Sequence, residues 1–170
     1  DDQIYAAIKA CDASVPVADQ LTQATLPGKY LWFTEKHKTL FIRSMYGKLY
    51  DSIEDVRNDP ARQPDNRGGV IVLGNPGIGK SFFLNYCLVR LLKAGVDVVV
   101  DVPKFKAVHF FKDGKVLTVR QGMRDHFYDS IEGDSEIVRL QDFDSEHRGA
   151  YRPTRAFTIC ASAPNLRNYK

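Results

Sequence analysis

Gly68-Gly69-Val70-Ile71-Val72-Leu73-Gly74-Asn75-Pro76-Gly77-Ile78-Gly79-Lys80-Ser81 is the stretch from which the fold can be read. Its second part, Gly74 to Ser81, matches G-x-x-x-x-G-K-[ST] in full. Val70 to Leu73 is a short apolar run of the kind buried in a parallel sheet. The glycines that follow let backbone N–H groups approach an anion closely. The residues after Lys80 have helical spacing, so the N–H groups and dipole of a first turn face the same point. Strand, cradle and helix in that order predict a phosphate-binding loop of Gly74, Asn75, Pro76, Gly77, Ile78, Gly79, Lys80, Ser81 and Phe82. In this pattern the Lys80 ammonium reaches the β- and γ-phosphates of a nucleotide, and the Ser81 hydroxyl is a ligand of Mg²⁺.

Downstream, a helix from about Lys80 to Lys93 carries Phe83, Leu84, Cys87, Leu88, Leu91 and Leu92 at core spacing, and Gly95 sits where it should stop. Val96 to Val102 is a second strand, apolar apart from Asp97 and Asp101. Asp101 either ends that strand at a turn, the reading we prefer, or stands in the outer shell of the metal. Lys106–Phe111 and Val116–Arg120 flank Lys112-Asp113-Gly114-Lys115. Asp-Gly between such runs predicts a β-hairpin, in which His109 reads as structural. Residues 121–132 read as a short helix with Phe127, Tyr128 and Ile131 turned inward.

Ile137 to Asp142 is a mostly apolar strand ending in a carboxylate, diluted by Arg139 and Gln141. Asp142 is the expected partner of Ser81 on Mg²⁺, with Asp144 second. A glutamate directly after the aspartate would activate water; that position is Phe143. Either Asp144 or Glu146 takes the role, or hydrolysis is slow. Phe157 to Ala161 is a further strand. Some phosphate-loop enzymes insert a strand between their two motif strands and place a polar residue at its end near the γ-phosphate. Here that is Ser162 or Asn165, with a simple turn as the equal alternative.

Upstream, residues 1–29 read as an irregular arm, although Ile4, Ala7, Ile8 and Cys11 follow helical spacing. Tyr30 to Phe33 is an aromatic cluster in which Trp32 reads as a core anchor rather than a base-stacking group. Leu40, Phe41, Met45, Leu49, Ile53 and Val56 are spaced for one face of a long helix. Asn58 to Asn66 is a loop by composition.

The 170 residues suit one domain, over 30–170, behind the arm. At 44% apolar and 11% aromatic, the chain can bury a real core. A net charge of +3 is too mild to predict nucleic-acid binding. Arg148, Arg152, Arg155, Arg167 and Lys170, in a stretch without acids, read as a solvated face. Cys11, Cys87 and Cys160 lie too far apart for a disulfide framework or a C-x-x-C metal site. No stretch is long and apolar enough to span a membrane. The first residues, Asp1-Asp2, read as the start of a piece cut from a longer protein. Asn-Lys-x-Asp, which would point to guanine, does not occur, so ATP is the default ligand and GTP stays open. The expected fold is α/β, a mostly parallel sheet with helices on both faces and an inserted β-hairpin, binding its ligand at the C-terminal strand ends.

With these residues in hand, the chain resembles the P-loop NTPase module of the Crinkler effectors of oomycetes and some fungi, related to the retrotransposon-hot-spot proteins of trypanosomes. The resemblance rests on Trp32-Phe33 before a long helix, on Val72-Leu73-Gly74-Asn75-Pro76-Gly77-Ile78-Gly79-Lys80-Ser81, on the strand with its Asp-Gly hairpin, and on Thr158 to Lys170. That last segment resembles a strand, a Ser-x-Pro step and a basic, Tyr-containing run. Together they cover about residues 30–170. The resemblance implies Mg²⁺-dependent ATP hydrolysis, with a fifth strand and any arginine finger or C-terminal sensor beyond Lys170. It also implies a modular secreted effector that enters host cells, often reaches the nucleus, and meets a host protein or nucleic acid through domains outside this chain. The targeting header of that family is absent from these residues.

Overall fold

Four runs rich in valine and other apolar residues build the parallel part of one sheet, and a short hairpin extends it. The computed structural model describes residues 6, 22–25, 39–61, 68–102, 107–131, 133–143 and 155–162. The strands of the main sheet are β3 (Gly69–Leu73), β4 (Val98–Val102), β5 (Ala107–Lys112), β6 (Lys115–Arg120), β7 (Val138–Phe143) and β8 (Phe157–Ser162). Their order is β3-β8-β7-β4-β5-β6. The first four run parallel, and β5 and β6 join antiparallel. The hairpin turns through Asp113 at φ 50° and Gly114 at φ 77°. Two successive positive φ values match the right-handed twist of the flanking strands.

The helices α1 (Ser44–Arg57) and α2 (Lys80–Lys93) cover one face, and α3 (Arg124–Ile131) covers the other after a single 3-10 turn, Gln121–Met123. Under α2, Phe83, Leu84, Leu88 and Leu91 meet Val98, Val100, Leu140 and Ile159. On the other face Phe127, Tyr128 and Ile131 meet Val99, Val108 and Phe110. The helix α2 ends by its expected glycine: the N–H groups of Gly95 and Val96 bond back to the carbonyls of Leu92 and Leu91. Cys87 lies fully buried in this layer, and burial pushes its thiol well above the ordinary value. Burial likewise pushes Cys160 up to about 12. No helix among the described residues is long and apolar enough to cross a membrane.

Upstream of the phosphate loop the structure departs from the expectation in three places. The arm of residues 1–29 contains a strand, β1 (Thr22–Thr25), paired antiparallel with β2 (Thr39–Ile42). Leu40 and Phe41 are therefore on a strand, not on the long helix. Alternation explains it: Leu40 and Ile42 are fully buried while Phe41 is exposed. Arg43, extended at φ −92° and ψ 148°, separates that strand from the helix. The buried face of α1 is Tyr46, Tyr50 and Ile53, with Leu49 and Val56 packed at its margin and Met45 left outside. Tyr30 to Phe33, including Trp32, lie outside the described residues.

A polar cluster is buried beneath α3. Asp101, with no exposed surface, accepts bonds at Oδ2 from Arg139 Nη2 at 2.5 Å, Arg124 Nη2 at 2.6 Å and the Tyr128 hydroxyl at 2.8 Å. The Arg139 guanidinium lies over the Tyr128 ring, 4.8 Å from its centroid. A charge this deep is tolerable only with partners of this kind. Asp101→Ala is expected to cost about 3–5 kcal/mol, since it strands a buried guanidinium. Asp97, which meets Lys112 at 3.5 Å near the surface, should tolerate the same change within about 0.5 kcal/mol. Chemical denaturation of both variants measures the contrast.

His109 bonds to Thr118 across the hairpin at 3.0 Å, and burial lowers its pKa from 6.5 to about 4. Between those two values the unfolded chain binds a proton at His109 that the folded chain does not. Stability from this residue is thus complete above pH 6.5 and is lost as pH falls towards 4. His109→Gln should flatten the fall in stability over that window, as read by denaturation at each pH.

Candidate functional site

The loop between β3 and α2 is shaped by its glycines and tied down from outside. Gly79 precedes the first helical residue at φ 96° and ψ 21°, a left-handed conformation that disfavours a side chain. A Cβ there would also come within 2.7 Å of the Tyr46 hydroxyl oxygen. No side-chain oxygen caps α2, and its first turn holds no acidic residue. Its leading N–H groups therefore retain their preference for an external anion. The Lys80 side chain curls over the loop, its Nζ donating to the carbonyls of Gly74 at 2.5 Å and Asn75 at 2.9 Å. Anionic oxygens can replace both carbonyls with a gain of charge.

One residue further, the Ser81 hydroxyl donates to Asp142 Oδ2 at 2.6 Å, across 61 positions of sequence. Strand alternation makes this contact. Val138, Leu140 and Asp142 share the α2 face of β7, whereas Arg139 and Gln141 face α3. A hydroxyl and a carboxylate are hard oxygen donors suited to Mg²⁺, which typically takes one or two protein ligands and fills its shell with water and phosphate. Among the described residues no cluster of three or more His, Cys, Asp or Glu side chains could hold a metal.

Two residues the sequence did not flag complete the loop's support. Arg43 Nη1 donates to the carbonyl of Ile78 at 2.9 Å, and the Tyr46 hydroxyl donates to the carbonyl of Gly79 at 2.9 Å. In a planar trans peptide the C=O and N–H point in opposite directions. Drawing these two carbonyls towards α1 therefore aims the N–H groups of Gly79 and Lys80 the other way. Tyr46 packs edge-on against Phe83, ring centroids 5.3 Å apart, and burial raises its hydroxyl pKa. Nothing in the sequence marked them: Tyr46 resembles any core aromatic, and Arg43 belongs to no motif.

The other expected residues divide. Asp101 belongs neither to a metal shell nor to a turn. It sits within β4, on the face opposite Asp142, held by Arg124, Arg139 and Tyr128. Ser162 ends β8 level with Leu73 and Phe143, its alternation shared with Thr158 and Cys160 on the α3 side. Asp144, Glu146 and Asn165 lie outside the described residues. A cleft of about 420 Å³ lined by Arg57, Asp97, Asp113 and Glu136 opens at the N-terminal ends of the strands, away from the loop. No family model, no curated protein and no solved structure matches this chain.

The contact between Gly79 and Tyr46 makes a double-mutant cycle informative. Tyr46→Phe should cost about 1 kcal/mol through the lost bond. Gly79→Ala should cost more, through the left-handed conformation and the crowded oxygen. The double variant should cost less than the sum, because Tyr46→Phe removes the atom that the new methyl meets. Additivity within about 0.3 kcal/mol in urea denaturation would show that the two residues are not coupled.

Proposed function

We propose that this chain binds a nucleoside triphosphate, ATP by default, together with Mg²⁺, and hydrolyses it. The observation that carries the proposal is the Ser81–Asp142 bond of 2.6 Å. It joins the last residue of the phosphate-loop motif to the carboxylate at a strand end that the second nucleotide motif calls for. The strand order supports the same reading. The strand β8 lies between β3, which leads into the loop, and β7, which carries Asp142 next to its last residue, as in P-loop enzymes with an extra strand between their motif strands.

The roles follow from the chemistry of each group. The N–H groups of the loop and of the first turn of α2 receive the β-phosphate. Lys80 exchanges the carbonyls of Gly74 and Asn75 for phosphate oxygens and offsets the charge that develops on the γ-phosphoryl group. Ser81 and Asp142 hold the cation. Bound Mg²⁺ would supply charge neutralisation at the β- and γ-oxygens. Asp144 or Glu146 is proposed to orient the attacking water. The resemblance to Crinkler modules would place this activity in a modular effector that works inside a host cell, in company with domains outside these residues.

One observation favours a second reading, a nucleotide-gated interaction module with little turnover. Phe143 follows Asp142 directly and has no group that accepts a proton from water. Under this reading triphosphate and diphosphate states differ in what the domain contacts, and nucleotide stays intact over long incubation with Mg²⁺.

Calorimetric titration with a non-hydrolysable ATP analogue and Mg²⁺ tests the binding proposal. Lys80→Ala is expected to weaken affinity about a hundredfold, from ~3 kcal/mol for a charge-assisted contact. Asp142→Asn should abolish the dependence of affinity on Mg²⁺ while leaving metal-free binding largely intact. Equal affinity of the wild type and Lys80→Ala would remove the loop from the site. Timed nucleotide analysis of the same protein then separates hydrolysis from gating.

A further inference from the structure

Around the phosphate loop and the β2–α1 junction tied to it, three side chains that usually avoid water are exposed. Phe41, Met45 and Ile78 are 38%, 56% and 46% exposed. They come from β2, from the first turn of α1 and from the loop itself. Two hydrogen bonds tie the start of α1 to the loop, from Arg43 to the Ile78 carbonyl and from Tyr46 to the Gly79 carbonyl. Phe41 also stands edge-on to Phe82, the residue after Ser81, with ring centroids 6.3 Å apart. An exposed aromatic group and a thioether thus flank Arg43 at the strand–helix junction that is tied to the loop, and the loop itself exposes a branched aliphatic chain.

We propose that this β2–α1 corner is the shelf for the nucleoside half of the ligand, with the base laid against Phe41 and Met45 while the phosphates enter the loop. The inference rests on the phosphate-loop reading and extends it to base recognition. A nucleobase has an apolar π-face that gains from aromatic contact, and such contacts tolerate any base because every base has that face. Thioether sulfur adapts to irregular flat surfaces. Reading a base edge needs donors and acceptors in a fixed pattern. The Phe41 and Ile78 side chains supply neither, Met45 supplies only a weak sulfur acceptor, and Arg43 offers donors alone, one of them engaged with Ile78. The corner therefore takes both purines with little discrimination and holds pyrimidines less well, because they cover less area.

The test compares ATP, GTP, CTP and inorganic tripolyphosphate, each with Mg²⁺, on the whole chain and two variants. ATP and GTP should bind the wild type within about threefold of each other, and about tenfold or more tighter than tripolyphosphate, the range expected for stacking on one aromatic side chain. Phe41→Ala should lose about tenfold for ATP and GTP and nothing for tripolyphosphate. Met45→Ser, at a more exposed position, should show the same pattern more weakly and serves if Phe41→Ala does not fold. If ATP binds the wild type no tighter than tripolyphosphate, the shelf is overturned and the phosphate loop stands. If Phe41→Ala weakens ATP and tripolyphosphate alike, Phe41 supports the loop, and the shelf is again overturned. Binding of neither ligand overturns the shelf together with the reading beneath it.

Discussion

One buried oxygen organises the middle of this sheet. Asp101 Oδ2 receives donors from β7, from the start of α3 and from the body of α3. A carboxylate without exposed surface can stay charged only where cations and donors are fixed around it. Arg139 meets that need only if β7 lies against β4 in the observed register, with Asp101 opposite Gln141. A slip of one residue would turn Arg139 into the apolar layer beneath α2 and swing Asp142 away from Ser81. The ion pair on one face of β7 thereby aims the carboxylate on the other face. Asp101 is far from the phosphate loop in role, yet the placement of Asp142 depends on it.

The loop has a second, independent support. Its own residues supply the glycines, while Arg43, just ahead of α1, and Tyr46, within it, donate hydrogen bonds to the carbonyls of Ile78 and Gly79. Among the described residues, β3 pairs with β8 and lies at one end of the sheet. A loop arranged before its ligand arrives loses less conformational freedom on binding, which favours affinity.

Most of the fold was legible because the signals were local. The bounds of α2 follow from apolar spacing between two glycines, and the hairpin from Asp113-Gly114. The strands β7 and β8 were legible as apolar runs. What escaped was whatever depended on contact across the chain. Arg139 and Gln141 read as flaws in a strand, whereas Arg139 is half of the buried pair. Asp101 was assigned to a turn or a metal shell because its partners, 23, 27 and 38 residues away, leave no local trace. The upstream misreading has a different origin. Phe41, Met45 and Leu49 are spaced by four, a helical interval, but the burial of Leu40 and Ile42 on a strand outweighs it. Of the site, the motif residues Lys80, Ser81 and Asp142 were legible and come together. Arg43 and Tyr46 were not, since their role is only to touch the motif.

Cys87 gives the molecule a built-in reporter of its own opening. Its sulfur lies fully buried in the core close to Tyr46 and Tyr50 of α1, and burial keeps it protonated. The thiolate is the reactive form, so a soluble alkylating reagent finds neither access nor a nucleophile while α2 stays seated. Modification at Cys87 therefore proceeds at the frequency with which the packing around α2 opens. Since the phosphate loop is continuous with the first turn of that helix, whatever binds the loop should slow this chemical clock from a distance, through the helix alone.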